Sequence, residues 1–97
     1  MIIVVSHKLA QYEALRRTKT LLSQVENQFT NNISDLHEKW NGNRGEFSFL
    51  ATGFPVSGTL IVKPSKVEFS GNLSFEASFF KKRIESTLRK RAEILLA

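Results

Sequence analysis

Residues 67–77, VEFSGNLSFEA, show the clearest alternation of apolar and polar residues in the chain. The apolar or small positions are Val67, Phe69, Gly71, Leu73, Phe75 and Ala77. Because successive side chains of a strand point to opposite faces, the stretch predicts a strand with one dry and one solvated face. Gly71, in the middle of the run, indicates a bulge or the close approach of a covering helix. A sheet built on this strand has an apolar face that other elements must cover.

Segments with helical periodicity lie before and after the strand region, and the helices they predict can cover that face. From about Leu9 to Phe29, one side of a predicted helix carries Leu15, Thr18, Leu22, Val25 and Phe29, with Ala14 and Leu21 beside them. After Ala77, one face of a second helix carries Phe80, Ile84, Leu88 and Leu95. The sequence therefore predicts two amphipathic helices.

Short runs typical of strands occupy the rest of the chain. They lie at residues 2–5 and at about 36–40, 47–51 and 58–62, bounded by Gly, Pro, Asn or Ser. Consecutive strands joined by short turns prefer antiparallel pairing. We predict an α+β two-layer sandwich, in which an antiparallel sheet of about four to five strands is covered on one face by two helices, in the order β-α-β-β-β-β-α. Without a linker or repeat, residues 1–97 form a single domain.

The segment WNGNRGEF, residues 40–47, contains a Gly-x-x-Gly with an arginine inside it. Phosphate clamps of that type deliver their backbone amides from a helical setting. Here the neighbours are predicted strands, and Asn41-Gly42 is a strong hairpin signal because both residues accept positive φ. We interpret the segment as a turn, with Gly45 at a bulge position and Trp40 as a core or sheet-edge anchor. The glycine group Phe54–Gly58 lacks the ending of a nucleotide loop and is also a predicted turn.

The basic excess of the chain lies on the predicted helices. The net charge is +5, and residues 79–97 alone hold six basic against two acidic residues. If both helices cover one sheet face, their outer sides form a basic layer that can attract phospholipid headgroups, polyanions or an acidic partner. The alternative is a solvated face kept soluble by like charge. The candidate residues for binding an anionic surface are Lys81, Lys82, Arg83, Arg89, Lys90, Arg16 and Arg17.

Arg91 is placed differently, near the middle of the apolar side of the closing helix, between Ile84 and Leu95 on the helical wheel. Two explanations are open. Its long stem can carry the guanidinium past the core edge into water. Alternatively, the side chain is buried and pairs with a carboxylate, including that of a bound acid.

Residues for catalysis or metal binding are sparse. There is no cysteine, and the two histidines, His7 and His37, are 30 positions apart without neighbouring ligands. His7 is expected to cap or pack at a helix entrance, and His37 to face solvent. No combination of serine, histidine and acid forms a recognisable nucleophile setting. We expect no catalytic residues, no cofactor and no metal, and hence a protein that is not an enzyme.

The order of landmarks resembles a known family. These landmarks are Ser6-His7-Lys8-Leu9 opening a helix, Trp40-Asn41-Gly42, Phe47, Gly53, Val56–Val62, Val67, Leu73, Phe75, Ile84 and Leu88. In this order and spacing they look like the small polyhydroxyalkanoic acid system proteins, over nearly the whole chain. The resemblance implies an accessory or granule-associated role in the bacterial cytoplasm, without established catalytic residues. The chain departs from the family pattern in being basic and in its segment Glu76–Phe80.

Three functions follow as hypotheses. The first is a non-enzymatic accessory protein of polyhydroxyalkanoate storage, whose partner is the granule surface or a granule protein. The second is a small binding domain for an apolar or acidic ligand in a groove between helices and sheet. The third and weakest is nucleic-acid binding, because basic residues are not interleaved with exposed aromatic ones. The apolar start is too short to cross a membrane, and an exposed edge strand leaves homodimer pairing open.

Overall fold

The computed structural model describes all 97 residues and contains a five-stranded antiparallel sheet. In chain order its elements are β1 (Ile2–Ser6), α1 (Gln11–Thr18), α2 (Leu21–Gln28), β2 (Ile33–Asn41), β3 (Arg44–Ala51), β4 (Phe54–Val62), β5 (Lys66–Leu73), a 3₁₀ turn (Ala77–Phe80) and α3 (Lys81–Leu95). The strands lie in the order β1-β5-β4-β3-β2. The first strand therefore pairs with the last, and β1 and β2 form the two edges.

One face of the sheet forms the core. Its buried side chains are Ile3, Val5, Phe47, Phe49, Ala51, Val56, Leu60, Val62, Val67 and Phe69. Together with buried residues of the three helices they form a single cluster of 18 apolar residues. Residues between them, such as Ile2 and Ser70, are exposed on the opposite face. The helices thus cover one face only, and the predicted α+β two-layer architecture and element order are confirmed.

The predicted helix from Leu9 to Phe29 consists of two consecutive helices, α1 and α2. The division lies at Thr20, whose N–H donates to the carbonyl of Arg17 at 3.1 Å and whose hydroxyl donates to the same carbonyl at 2.8 Å. Threonine competes for backbone groups in this way because its hydroxyl lies close to the main chain. The Thr20 carbonyl then accepts the N–H of Gln24, and α2 begins. The predicted apolar side still faces the core.

Strand β5 ends at Leu73, so the prediction that the strand continues to Ala77 is wrong for its last four residues. Ser74 turns the chain. Its Oγ accepts the N–H of Ala77 at 3.2 Å, and its carbonyl accepts the N–H of Ser78 at 3.0 Å. Serine favours such turns because its hydroxyl satisfies nearby backbone donors. Phe75, which the alternation places in the core, is consequently 76% exposed.

The segment WNGNRGEF forms the hairpin between β2 and β3, as predicted. Asn41 pairs with Arg44, which leaves Gly42 and Asn43 as a two-residue loop. Gly42 has a φ of 60°, and Asn43 is not among the residues of positive φ. A positive φ at only the first loop position is the mark of a type II′ turn. Of the two residues that accept positive φ, only Gly42 adopts it, because Asn41 belongs to the strand.

Three further sheet predictions are corrected. The segment Phe54–Gly58 is the beginning of strand β4 rather than a turn. Gly45 pairs in register with Trp40 and makes no bulge. A Cβ there would lie 2.7 Å from the Trp40 ring, so the glycine makes room for the indole, which is half-buried against the core. At Gly71 the closely approaching group is the Met1 side chain rather than a helix. The bulge lies instead in β2, around Asp35, which has a φ of 53°.

Candidate functional site

His7 has a structural position, as predicted. It is buried at 7% exposure, and its Nδ1 accepts the N–H of Leu9 at 3.1 Å. The other ring nitrogen, Nε2, therefore carries the proton and donates to the carbonyl of Lys63 at 3.0 Å. Both nitrogens are thus engaged in holding the end of β1 against the β4–β5 connection. His37, by contrast, is exposed on the edge strand.

Two phenylalanines stand out at the surface before α3. The rings of Phe75 and Phe79 are 76% and 73% exposed and contact each other edge to face, with centroids 5.3 Å apart. Shortly after them in the chain come Lys81 and Lys82, which are both exposed. We call these four residues the aromatic–basic corner. Large apolar side chains grouped at a surface often mark an interaction site.

The first turn of α3 is electrostatically unfavourable for the helix itself. It holds Lys81, Lys82 and Arg83, without an acidic residue and without a side-chain cap. A helix N-terminus carries partial positive charge, and each cation there costs roughly 0.3–1 kcal/mol at low ionic strength. Helix stability does not explain this arrangement. It does create a concentrated positive field beside the exposed phenylalanines.

A groove of about 270 Å³ lies between the C-terminal end of α2, the first half of α3 and the adjoining ends of β2 and β3. Its lining is mostly apolar and consists of Val25, Phe29, Asn32, Ile33, Phe49, Ala51, Thr52, Phe80, Arg83, Ile84, Thr87 and Leu88. Arg83 is the only charged residue among them. The chain thus has the helix–sheet groove that the second functional hypothesis requires.

Arg16 and Arg17, both candidates for surface binding, are engaged within the protein. Both guanidinium groups pair with Glu13, and these hydrogen bonds lower the pKa of that carboxyl to about 2. Arg17 also donates to the carbonyls of Leu95, at 3.0 Å, and Ala97, at 3.2 Å. It thereby satisfies carbonyl groups at the C-terminal end of α3, where a cation is favourable.

The later basic residues of α3 have mixed roles. Arg89 donates to the carbonyl of Val4 at 3.3 Å, on the edge strand β1, whereas Lys90 is exposed. Arg91 donates to Oε1 of Gln28 at 2.8 Å at the surface. Its partner within the protein is therefore an amide rather than a carboxylate, and pairing of Arg91 with a bound acid stays a prediction. Which of the candidate cations bind an external anion stays a prediction.

The surroundings of Trp40 leave little of its ring free. Lys19 Nζ lies 5.8 Å from the ring centroid. The indole N–H donates to Glu38 at 3.4 Å. Burial raises the pKa of the Glu38 carboxyl, the Trp40 hydrogen bond opposes that rise, and the negative charge of Glu26 adds to it. Trp40 is an anchor of the edge strand rather than an open stacking platform.

Sequence reasoning missed this exposed pair, because the strand alternation places Phe75 in the core and neither the alternation nor the helical pattern singled out Phe79. The available signal was the pair of serines around them. Ser74 and Ser78 both bond to the local backbone, the latter by donating to the carbonyl of Phe75 at 2.5 Å. Such serines favour turns over regular structure. This finding also removes the premise that basic and exposed aromatic residues are separated.

Comparison with known proteins places this fold in a family. The sequence model of one family, the polyhydroxyalkanoic acid system proteins, matches residues 2–96 of the chain. The chain belongs to that family. The resemblance inferred from the landmark residues is thus confirmed over almost the whole length of this polyhydroxyalkanoic acid system protein. Neither a curated protein nor a solved structure shows a significant match to it. None of its helices combines the length and the apolarity needed to cross a membrane.

Proposed function

We propose that the protein is a non-enzymatic accessory protein of polyhydroxyalkanoate storage in the bacterial cytoplasm, and that it docks on the granule surface through the aromatic–basic corner. Membership of the polyhydroxyalkanoic acid system family supports the storage context. The observation that carries the docking surface is the exposed, mutually packed pair Phe75 and Phe79 beside Lys81 and Lys82.

The phenylalanine pair provides the apolar part of the docking energy. Both side chains lie outside the buried core cluster, so inserting them into an apolar surface removes no contact that holds the fold. Fully burying one such ring is worth roughly 1.5–3 kcal/mol. Because the two rings are already packed together, little conformational freedom is lost when they insert as a unit.

The lysines provide an electrostatic part. A cation close to an anionic lipid surface contributes about 1 kcal/mol. Lys81 and Lys82 form no ion pair within the protein, since its ion pairs use only Arg16, Arg17, Lys63 and Lys66. They also oppose the dipole of α3, and a surface anion would relieve that repulsion. The corner therefore fits a surface that is apolar within and negatively charged outside.

The non-enzymatic role is supported by the engagement of His7. Both of its ring nitrogens bond to the backbone, which leaves neither for proton transfer to a substrate. His37 is exposed on an edge strand and does not line the groove. The geometry favours a binding protein over a hydrolase or transferase.

Docking is tested by sedimentation of purified protein with native granules from polymer-accumulating cells. Because each ring contributes roughly 1.5 kcal/mol or more, the double variant Phe75→Ser/Phe79→Ser should lose at least about a hundredfold in affinity. The matched control is Tyr12→Ser, which removes an equally exposed aromatic ring from α1. That variant should bind as the wild type does.

A fluorescently tagged copy in the same cells provides the second readout. Granule-shaped fluorescence that becomes diffuse in the double variant supports the proposal. Diffuse fluorescence of the wild type with granules present contradicts it, as does equal loss of binding in the Tyr12 control. Binding to a single-stranded oligonucleotide at low salt, together with no binding to granules, would replace the proposal by the nucleic-acid hypothesis.

A further inference from the structure

The groove between α2, α3 and the sheet has a single cation in its lining. Arg83 is the only charged residue of its lining, which contains no aspartate or glutamate. The carboxylates that form ion pairs in this protein are Glu13 and Glu68, and neither pairs with Arg83. An exposed guanidinium without an internal partner therefore adjoins an apolar cleft. This combination is complementary to a molecule that has one anionic end and one aliphatic end.

We propose that the groove binds a medium-chain aliphatic carboxylate. The guanidinium of Arg83 offers a planar pair of N–H donors, a geometry that matches the two oxygens of a carboxylate. The aliphatic tail lies among the apolar lining residues, including Phe49, Ile84 and Leu88. Small-molecule sites of about 300–1,000 Å³ are typical, so a groove of about 270 Å³ suits a ligand at the small end of that range.

The wall of the groove is held in a fixed shape. Thr52 and Gly53 are the two loop residues of the hairpin between β3 and β4, and their φ values of 52° and 83° are those of a type I′ turn. The N–H of Thr52 donates to the carbonyl of Asn32 at 2.6 Å, and both residues line the groove. A preformed wall of this kind reduces the ordering cost of binding a small ligand.

Two kinds of molecule are medium-chain aliphatic carboxylates of this type: free fatty acids and hydroxyalkanoic acids. They share the carboxylate and the aliphatic tail, and only the second carries a further hydroxyl. Thr52 and Thr87, whose side chains carry hydroxyl groups, are among the lining residues, so a hydroxy acid has candidate polar partners there. The site is separate from the granule-docking surface, because neither Phe75 nor Phe79 lines the groove.

The first test titrates the ¹⁵N-labelled protein with hexanoate, octanoate and decanoate and follows backbone amide shifts. Signals of Phe49, Thr87 and Leu88 should move together. Each added methylene that enters the groove should tighten binding about fourfold, which corresponds to about 0.8 kcal/mol. The gain should stop once the tail exceeds the groove. 3-Hydroxyoctanoate distinguishes the two sources, since tighter binding than octanoate identifies the hydroxy acid.

The second test isolates the carboxylate contact. Arg83→Met keeps most of the side-chain stem but removes the charge, and it should weaken octanoate binding at least about tenfold, as expected for a hydrogen bond to a charged group. Binding of octan-1-ol should be unchanged. Lys82→Met is the matched control, because it removes the same charge one residue away from the lining.

Three results would overturn the proposal. One is equal weakening by Lys82→Met and Arg83→Met, which indicates general charge attraction. Another is wild-type affinity for octan-1-ol as high as for octanoate. The third is shift changes confined to Phe75 and Phe79, which indicates adsorption at the corner. Phe75→Ser/Phe79→Ser should retain octanoate binding, so failure of the docking proposal and failure of this one are distinguishable.

Discussion

At the scale of single residues, Glu13 connects two elements through charge. Its carboxylate holds Arg16 and Arg17, and Arg17 in turn caps the end of α3 through the carbonyl of Leu95. The hydrogen bonds from both arginines lower the pKa of Glu13 from 4.5 to about 2. One acidic residue thus orients the cation that ties α1 to the C-terminal helix.

The depressed pKa of Glu13 predicts a pH-dependent contribution to stability. In the folded state the carboxylate is favoured, so its contribution is fully present above about pH 4.5 and is lost as the pH falls towards 2. Glu13→Gln should lower the free energy of unfolding at pH 7, and the difference from wild type should shrink across that interval. Urea unfolding at several pH values measures it. A difference that is constant with pH would contradict this assignment. The control is Glu93→Gln, because Glu93 is exposed and forms no ion pair.

At the scale of the elements, the sheet contains one position where only glycine fits. A Cβ on Gly58 would lie 2.1 Å from the carbonyl oxygen of Ser70, which belongs to the neighbouring strand backbone. At Gly45 the corresponding obstacle is the Trp40 side chain, at 2.7 Å. A side chain can rotate away, whereas a paired backbone cannot move without disrupting the sheet.

Gly58→Ala should therefore be the more damaging substitution. We expect it to lower the free energy of unfolding by about 3 kcal/mol or more, because overpacking against a backbone is relieved only by moving the strands. Gly45→Ala should cost about 1–2 kcal/mol, with a change in Trp40 fluorescence as the indole shifts. Denaturant unfolding measures both. Equal costs for the two variants would show that the strands yield as easily as the indole.

In helix α3 the residues proposed to bind the granule, Lys81 and Lys82, are unfavourable for the stability of the helix itself. Replacing Lys81 and Lys82 with glutamate should raise the free energy of unfolding by about 0.5–2 kcal/mol, because negative charge is favourable at a helix N-terminus. The same double variant should lose granule binding. Thermal unfolding and granule sedimentation on one preparation measure the two effects. Lys90→Glu, remote from the N-terminal turn, should change stability less; a destabilised double variant would contradict the electrostatic argument.

At the scale of the whole molecule, the single buried cluster explains why the proposed docking surface can be changed without unfolding the protein. Phe75 and Phe79 do not belong to the cluster of 18 buried apolar residues or to the partly buried residues packed against it. Phe75→Ser/Phe79→Ser should therefore leave the free energy of unfolding within about 0.5 kcal/mol of wild type, as for ordinary surface substitutions. Phe69→Ser, fully buried, should be strongly destabilising. A large loss in the surface variant would assign the pair to the core instead.

The two edges of the sheet bear on association between copies. On β1, the guanidinium of Arg89 bonds to the carbonyl of Val4, and on β2 the bulge around Asp35 interrupts the ladder. Both features are ways in which proteins protect edge strands from pairing with another sheet. Homodimer formation through an edge stays a prediction, and these features indicate what such a dimer would have to displace.

The sequence by itself determined the element order, the apolar face and the family. Alternation such as that of Val67 and Phe69 follows from the geometry of a strand, and helical periodicity follows from the geometry of a helix; both are local properties. The tertiary structure decided where each pattern stopped. Thr20 divides one predicted helix into two, and Ser74 ends β5 while its alternation continues to Phe75. The periodicity of apolar residues cannot show where an element ends, because a phenylalanine fits the apolar pattern whether it is buried or exposed. The groove beside Arg83 likewise exists only because the fold brings residues from β2, β3 and two helices together.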